Sequence, residues 1–305
     1  MANTTLKQNG YSLLELMLGL ALSMILLLML GHILINNTRT VESIEVTQQL
    51  QNTALYAQHY LSQHIRHSAY RGDTLSSTNI IGTAAVASSD NCQTSEWTAD
   101  IRQPLLGSNQ NQVPYPCLTQ GTSLRWFAGD TITVRYSNKF IAKQYINKLL
   151  YSRSSLKNIT LFMGEDRALS NNQLNLPSST RKFNSYTFYI SRSNLKWCNS
   201  TKIPALTTMS RAKSGKLRRS ITIAGIEQLQ IQYSRDLSNF MNADTVSDWK
   251  KITRVKVWIL VRSLCRHYKL PQTKQFQFAD INVQRQDRYR RQLFSFIVSL
   301  RNDQQ

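Results

Sequence analysis

The sequence predicts an α+β fold in which one long N-terminal helix, membrane-spanning in its first half, packs against an antiparallel β-sheet body. Three observations carry this expectation. Residues 16–35 contain no formally charged side chain. Beyond them, apolar residues recur at mostly three- and four-residue spacing as far as Ile65, with no proline before Pro104 and no glycine between Gly31 and Gly72. From residue 131 onward, short segments alternate apolar and polar side chains instead, which is the period of a half-buried strand.

The helix comes first. Only Gly19, Ser23, Gly31 and His32 interrupt the run from Leu16 to Ile35, and about twenty residues at about 1.5 Å each span the roughly 30 Å hydrocarbon layer. The run exceeds the about 7–15 apolar residues of a cleaved secretory signal, and no small-x-small site closes it. Glu15 stands at its edge, where a carboxylate is costly unless it stays at the interface, meets a cation or takes up a proton. Val41, Ile44, Leu50, Ala54, Ala57, Leu61 and Ile65 continue the pattern. One helix of roughly 90 Å is therefore expected from Tyr11 to about Ala69, apolar all round at first and amphipathic later. These features divide the chain into a spanning segment at 11–35, an amphipathic continuation at 36–70 and a globular region at 71–305.

Residues 73–123 are rich in Ser, Thr, Asn, Gly and Ala and read as loop-rich. Cys92 and Cys117 lie inside this stretch and are candidate disulfide partners, a closure that stabilises by something of the order of 3 kcal/mol. Cys198 and Cys265 are farther apart, and the sequence leaves their pairing open. No C-x-x-C pair of the zinc or thioredoxin type is present, so export would make all four disulfide candidates. Strands are expected at TITVRY (Ile132, Val134, Tyr136), SYTFYIS (Tyr186, Phe188, Ile190) and IEQLQIQY (Leu229, Ile231, Tyr233). Two more are expected at ITRVKVWILVR (Val255, Val257, Ile259, Val261) and LFSFIVSL (Phe294, Phe296, Val298, Leu300). A sheet with one apolar face would cover the amphipathic half of the helix.

The chain is strongly basic, with 37 Lys and Arg against 17 Asp and Glu, and residues 211–305 hold 19 of the former and 7 of the latter. Such charge favours anionic partners, and its plainest reading is a solvated basic surface. SRAKSGKLRRS gathers Arg211, Lys213, Lys216, Arg218 and Arg219, a candidate contact to nucleic-acid backbone set against the plainer reading of a solvated loop or subunit contact. His59, His64 and His67 share the helix but lack a completing ligand nearby, so they read as solvated helix histidines and no metal is expected. Asp236, Asp244 and Asp248 lie in a loop without the glycine and terminal glutamate of an EF-hand, and an Asn/Asp turn is expected there. G-x-S-x-G, G-x-x-x-x-G-K-[ST], H-E-x-x-H and G-x-G-x-x-G are all absent, so neither an enzyme nor a cofactor is expected.

The N-terminus resembles a known type. The leader MANTTLKQNG, the Gly10-Tyr11 junction and YSLLEL before an apolar helix are similar to the class III signal of type IV pilins and pseudopilins. The resemblance implies cleavage after Gly10 by a prepilin peptidase, N-methylation of Tyr11, and pairing of Glu15 with the α-amino group of a neighbouring subunit in the filament core. Such pairing makes a carboxylate tolerable in a low-dielectric helix bundle. Further blocks resemble PilW-type minor pilins: QNTALYAQHYLSQHIRHSAYRG, FAGDTITVRYS, IAGIEQLQIQYSRD with VSDWKKITRVKVWILVRS, and DRYRRQLFSFIVSLRN with its Arg301-Asn302 pair.

The chain departs from the pattern where Tyr11 replaces the commoner phenylalanine, where Ser68-Ala69 replaces Ala-Gly, and where Asp73 replaces a frequent cysteine. Residues 73–123 and 138–182 carry no resemblance. What the PilW likeness implies is a subunit that helps start type IV pilus assembly, made in the inner membrane with a periplasmic body and later exposed on the pilus. Its implied partners are other minor pilins, a tip adhesin-like protein and the major pilin. A J-type pseudopilin of type II secretion, a pilus-associated DNA-binding subunit and a membrane-anchored sensor or enzyme are the competing readings.

Overall fold

The computed structural model describes residues 12–72, 74, 79–82, 92, 95–110, 115–121, 123–166, 178–195, 197–198, 202–236 and 238–301. The leader with Gly10 and Tyr11, together with Asp73 and Asn302, lies outside the described residues. The chain forms two compact units, Met1–Gln49 and Leu50–Gln305.

Helix α1 (Leu13–Arg66) is continuous. In the first unit most of its apolar side chains are exposed, Val41 and Ile44 included, while Val46 is part-buried. The buried stripe predicted from Val41 onward therefore begins only at Leu50, because that is where the second unit supplies a surface to cover it. From there Leu50, Ala54, Ala57, Leu61 and Ile65 bury one face, at the spacing of an amphipathic helix. The helix ends at Arg66, and the turn that follows closes at Ala69, whose φ of 66° is left-handed. Its amide donates to Arg135 O at 3.1 Å, and Ser68 Oγ donates to Pro104 O at 2.9 Å. A glycine would be at ease in this conformation; alanine is not.

The larger sheet contains β1 (Asn79–Ile81), β2 (Leu105–Ser108), β3 (Trp126–Ile141), β4 (Leu150–Ser154), β5 (Asn158–Met163), β6 (Ser179–Arg192), β7 (Pro204–Arg211) and β8 (Leu217–Ala224). Its order is β1-β5-β4-β6-β3-β2, with β7 pairing β6 and β8. Every pairing is antiparallel except that of β1 with β5. Serine and threonine pairs run through its buried layer, joining Ser108 to Thr131 at 2.7 Å, Thr133 to Thr187 at 2.9 Å, Ser137 to Ser152 at 2.7 Å and Ser191 to Thr207 at 2.6 Å. Hydroxyls buried in this way find partners across strands, so they are accommodated at little cost.

A second sheet has the order β13 (Arg291–Ser299), β10 (Arg254–Arg262), β9 (Ile226–Ser234), and a hairpin joins β11 (Gln272–Phe278) to β12 (Ile281–Asp287). The two sheets meet where β9 lies against β3. Asp130 Oδ2 accepts from Ile231 N at 2.7 Å, and Oδ1 accepts from Gln110 N at 3.0 Å. Gly129 (φ +76°) allows this approach, since a Cβ there would stand 2.4 Å from Leu229 O. Three of the five predicted strands fall within β3, β6 and β9, and the other two coincide with β10 and β13 except that Ile252, Thr253 and Leu300 lie outside those strands.

Candidate functional site

Three parts of the molecule bear on function: the N-terminal helix, the loops held on the large sheet, and the charged network of the small one. In the helix, Glu15 occupies the first turn, and its amide donates to Ser12 O at 3.0 Å. By length and composition the helix can cross a membrane. Polar side chains along it are satisfied within the helix: Ser23 Oγ donates to Leu20 O at 2.8 Å, Thr38 Oγ1 to Ile35 O at 2.8 Å and Thr40 Oγ1 to Asn36 O at 2.9 Å. Back-bonding of this kind lets hydroxyls enter an apolar layer without an orphaned donor.

Three arginines tie loops to the large sheet. Arg135, 1% exposed, donates to Gln103 O at 2.5 Å and Trp97 O at 3.1 Å, and its guanidinium lies 4.4 Å from the Trp97 ring centroid. Arg211 donates to Ser95 O at 2.9 Å and Lys148 O at 3.0 Å. Arg219 donates to Cys117 O, to Gln120 O at 2.8 Å and to Ser123 O at 2.9 Å. The basic run of the sequence is thus divided. Arg211 and Arg219 serve backbone carbonyls, whereas Lys213, Lys216 and Arg218 are exposed. The run is also not a loop but the β7–β8 hairpin, with Arg211 closing β7 and Arg218 and Arg219 inside β8.

Cys92 is bonded to Cys117 with Cα atoms 5.6 Å apart, and Cys198 to Cys265 with Cα atoms 5.4 Å apart. The first bridge closes the loop that Arg219 grips. The pairing left open for Cys198 and Cys265 is therefore made, because the fold brings a loop after β6 beside the end of β10.

The expectation for the helix histidines needs correction. His59 is exposed, but His64 is part-buried among Tyr60, Tyr136, Tyr186 and Phe188. Its Nδ1 is 2.6 Å from Tyr136 Oη. Burial, aided by nearby His67, pushes the His64 imidazole down to about 4. The packed strands β3 and β6 desolvate a ring that the sequence places on a polar helix face. Among the described residues, no group of three or more His, Cys, Asp or Glu side chains is placed to hold a metal ion. Asp236 instead forms the expected turn, accepting from Ser238 N at 3.0 Å and Asn239 N at 2.8 Å.

In the small sheet, Glu227 of β9 is clasped by two arginines. Arg291 Nε donates to Oε2 at 2.5 Å and Arg285 Nε to Oε1 at 3.0 Å, while Arg291 also meets Asp287 at 2.6 Å. Burial alone would lower the Arg291 guanidinium, but its hydrogen bonds to Asp287 and Glu227 raise it above its ordinary range. This network joins β9, β12 and β13, three elements that only long-range folding brings together.

Residues 187–302 match the family model described as type IV pilus-assembly protein W, PilW, and residues 5–31 match the prokaryotic N-terminal methylation motif. The PilW match covers 116 of the 305 residues, so the chain is similar to that family over about two fifths of its length. No curated protein and no solved structure matches it. The PilW match takes in the end of β6, the β7–β8 hairpin, the whole three-stranded sheet, β11–β12, and both Cys198 and Cys265. The Glu227 network lies entirely inside it. The helix end and FAGDTITVRYS, also read as PilW-like, fall outside both matches. The methylation motif covers Gly10, Tyr11 and Glu15 together with the apolar start of α1. A prepilin-like N-terminus with this helix fits an inner-membrane anchor, and the family is one of type IV pilus assembly.

Proposed function

We propose that this PilW-type chain is a minor pilin that helps initiate the type IV pilus as a structural subunit of a tip complex, with other minor pilins, a tip adhesin-like protein and the major pilin as neighbours. The observation that carries this is the coincidence, at one end of the chain, of the methylation motif with a helix that presents Glu15 in its first turn and apolar side chains on all sides. In this reading the prepilin peptidase cuts after Gly10 and methylates Tyr11. Glu15 then pairs with the α-amino group of an adjacent subunit as the helix leaves the membrane for the filament core. A buried charge is tolerated there only in such company. The body stays on the periplasmic side, where its two disulfides are chemically at home.

Intact mass and N-terminal sequencing of the protein from native membranes, with and without the peptidase, test the first step. A chain that begins at N-methylated Tyr11 only when the peptidase is present supports the reading, and one that begins at Met1 or Ala2 in both strains overturns it. A J-type pseudopilin would be processed in the same way. Deletion of the gene separates the two, since a minor pilin's loss removes pili and leaves secretion intact.

A further inference from the structure

The positive charge of the chain is concentrated where the sequence alone does not direct attention. Residues 131–226, which build most of the large sheet, contain 17 Lys and Arg and only two carboxylates, Glu165 and Asp166. Residues 227–301 hold 14 Lys and Arg against six carboxylates, and of these Glu227 and Asp287 are held by Arg291. The excess positive charge is therefore larger over the large sheet, and one part of that sheet also carries an exposed aromatic ring.

At the end of β3 the register with β6 shifts between Ser137 and Ile141. Such a bulge re-aims side chains, and here it turns Lys139 and Phe140 outward. Phe140 is 67% exposed. The bulge is held: Arg181 Nη1 donates to Lys139 O at 2.8 Å and Phe140 N donates to Asn138 Oδ1 at 3.3 Å. Two clefts of about 270 and 310 Å3 flank the ring and share Asn138, Phe140 and Lys182. Tyr136, Tyr186 and His64 line the first, and Lys213 and Arg211 reach the second. Lys148 packs against the turn that bears Lys213, its Cβ 3.3 Å from where a Cβ on Gly215 would lie. Among the described residues, no carboxylate lines either cleft. Glu96 and Glu165 act on Arg211, leaving Lys139, Lys182 and Lys213 without an ion pair among the described residues. Burial and the nearby Lys213 lower the Lys182 ammonium, and a bound anion would relieve that repulsion.

We infer that this surface, Phe140 flanked by Lys139, Lys182 and Lys213, binds single-stranded nucleic acid. The ammonium groups would track phosphates, and the exposed ring would offer a sequence-tolerant stacking face. A duplex keeps its bases stacked and cannot use the ring. The β7–β8 hairpin whose turn bears Lys213 is built into the sheet through the pairing of β7 with β6 and is not a free ribbon to enter a groove, so single strands are the better fit. This surface differs from the set read from sequence: of Arg211, Lys213, Lys216, Arg218 and Arg219, only Lys213 is central to it. The inference goes beyond the pilin reading and does not depend on it.

Fluorescence anisotropy of the full chain in detergent micelles, with a labelled 20-nucleotide dT strand and a 20-base-pair duplex, tests it. Phe140→Ala should weaken single-strand binding about five- to hundred-fold, the range of a lost base stack, and leave duplex binding unchanged. Lys139→Gln with Lys182→Gln and Lys213→Gln should flatten the slope of log affinity against log salt by about 2 for single strands. The exposed double variant K139Q/K213Q, which leaves part-buried Lys182 in place, should flatten it by about 1.4. Lys250→Gln with Lys251→Gln, exposed elsewhere, should change neither the affinity for dT nor the effect of Phe140→Ala. Absence of single-strand binding at 50 mM salt, or insensitivity to both Phe140→Ala and K139Q/K213Q, overturns the inference. So does displacement of dT by poly-glutamate at equal charge with no Phe140→Ala effect, which would make the surface a dock for an acidic protein.

Discussion

His64 of the helix and Tyr136 of the sheet share a hydrogen bond of 2.6 Å inside an aromatic cluster. The contact fastens the last turns of α1 to β3, and it does so with a histidine that burial keeps neutral. Its pKa falls from 6.5 to about 4 on folding, so between those values the unfolded chain binds the extra proton. Stability from this site is full above about pH 6.5 and is lost as pH falls toward about 4, by up to about 3 kcal/mol. Urea midpoints measured from pH 7.5 to 4 should fall less steeply for His64→Gln than for the wild type. Equal slopes would show that His64 does not titrate in this window.

Glu227 lies between Arg291 and Arg285, and Arg291 is itself buried. Glu227→Ala takes one of the two carboxylates from the buried Arg291, leaving it with Asp287, and should cost about 3–5 kcal/mol, whereas Glu227→Leu with Arg291→Met should cost less because both buried charges leave together. Thermal unfolding of the two variants decides the matter. A double variant no more stable than the single one would mean that the network is not the source of the cost.

Arg218 and Arg219 are neighbours in β8 with different fates. Arg219→Gln removes bonds to three loop carbonyls and should destabilise by about 1.5–3 kcal/mol, while exposed Arg218→Gln should stay within about 0.5 kcal/mol of the wild type. Cys92→Ser with Cys117→Ser should loosen the same loop and cost about 3–4 kcal/mol. Mass spectrometry after alkylation should find no modified cysteine until reductant is added, and four afterwards.

Ala69 holds a left-handed φ of 66° in the turn that follows α1. Replacing it with glycine should raise the unfolding midpoint, by about 1 kcal/mol in stability, because the Cβ strain disappears. A lower midpoint for Ala69→Gly would show that unfolded-state entropy outweighs the strain.

Glu15→Ala should leave cleavage at Gly10 intact and abolish recovery of the chain in sheared pili. A variant incorporated as well as the wild type would remove the pairing role assigned to Glu15.

The strands legible in the sequence are those whose inward face is apolar, such as Val255, Val257 and Ile259 of β10. β4, β7 and β8 are not legible in the sequence because their inward positions carry Ser152, Thr207 and Arg219, which hydrogen bonds across the fold make acceptable. β11 carries no strand signal because its side chains are almost all polar and exposed.

The sequence by itself determined the apolar helix, its carboxylate at the fifth position after Gly10, and the methylation signature. Periodicity and spacing are properties of neighbouring residues, and they survive without knowledge of the fold. Only the tertiary structure decided where the buried stripe of α1 begins, that His64 is desolvated, which arginines serve carbonyls and which stay exposed, and that Phe140 stands among three lysines from separate strands and turns. Those outcomes depend on residues tens of positions apart, whose meeting is set by sheet pairing rather than by any local pattern.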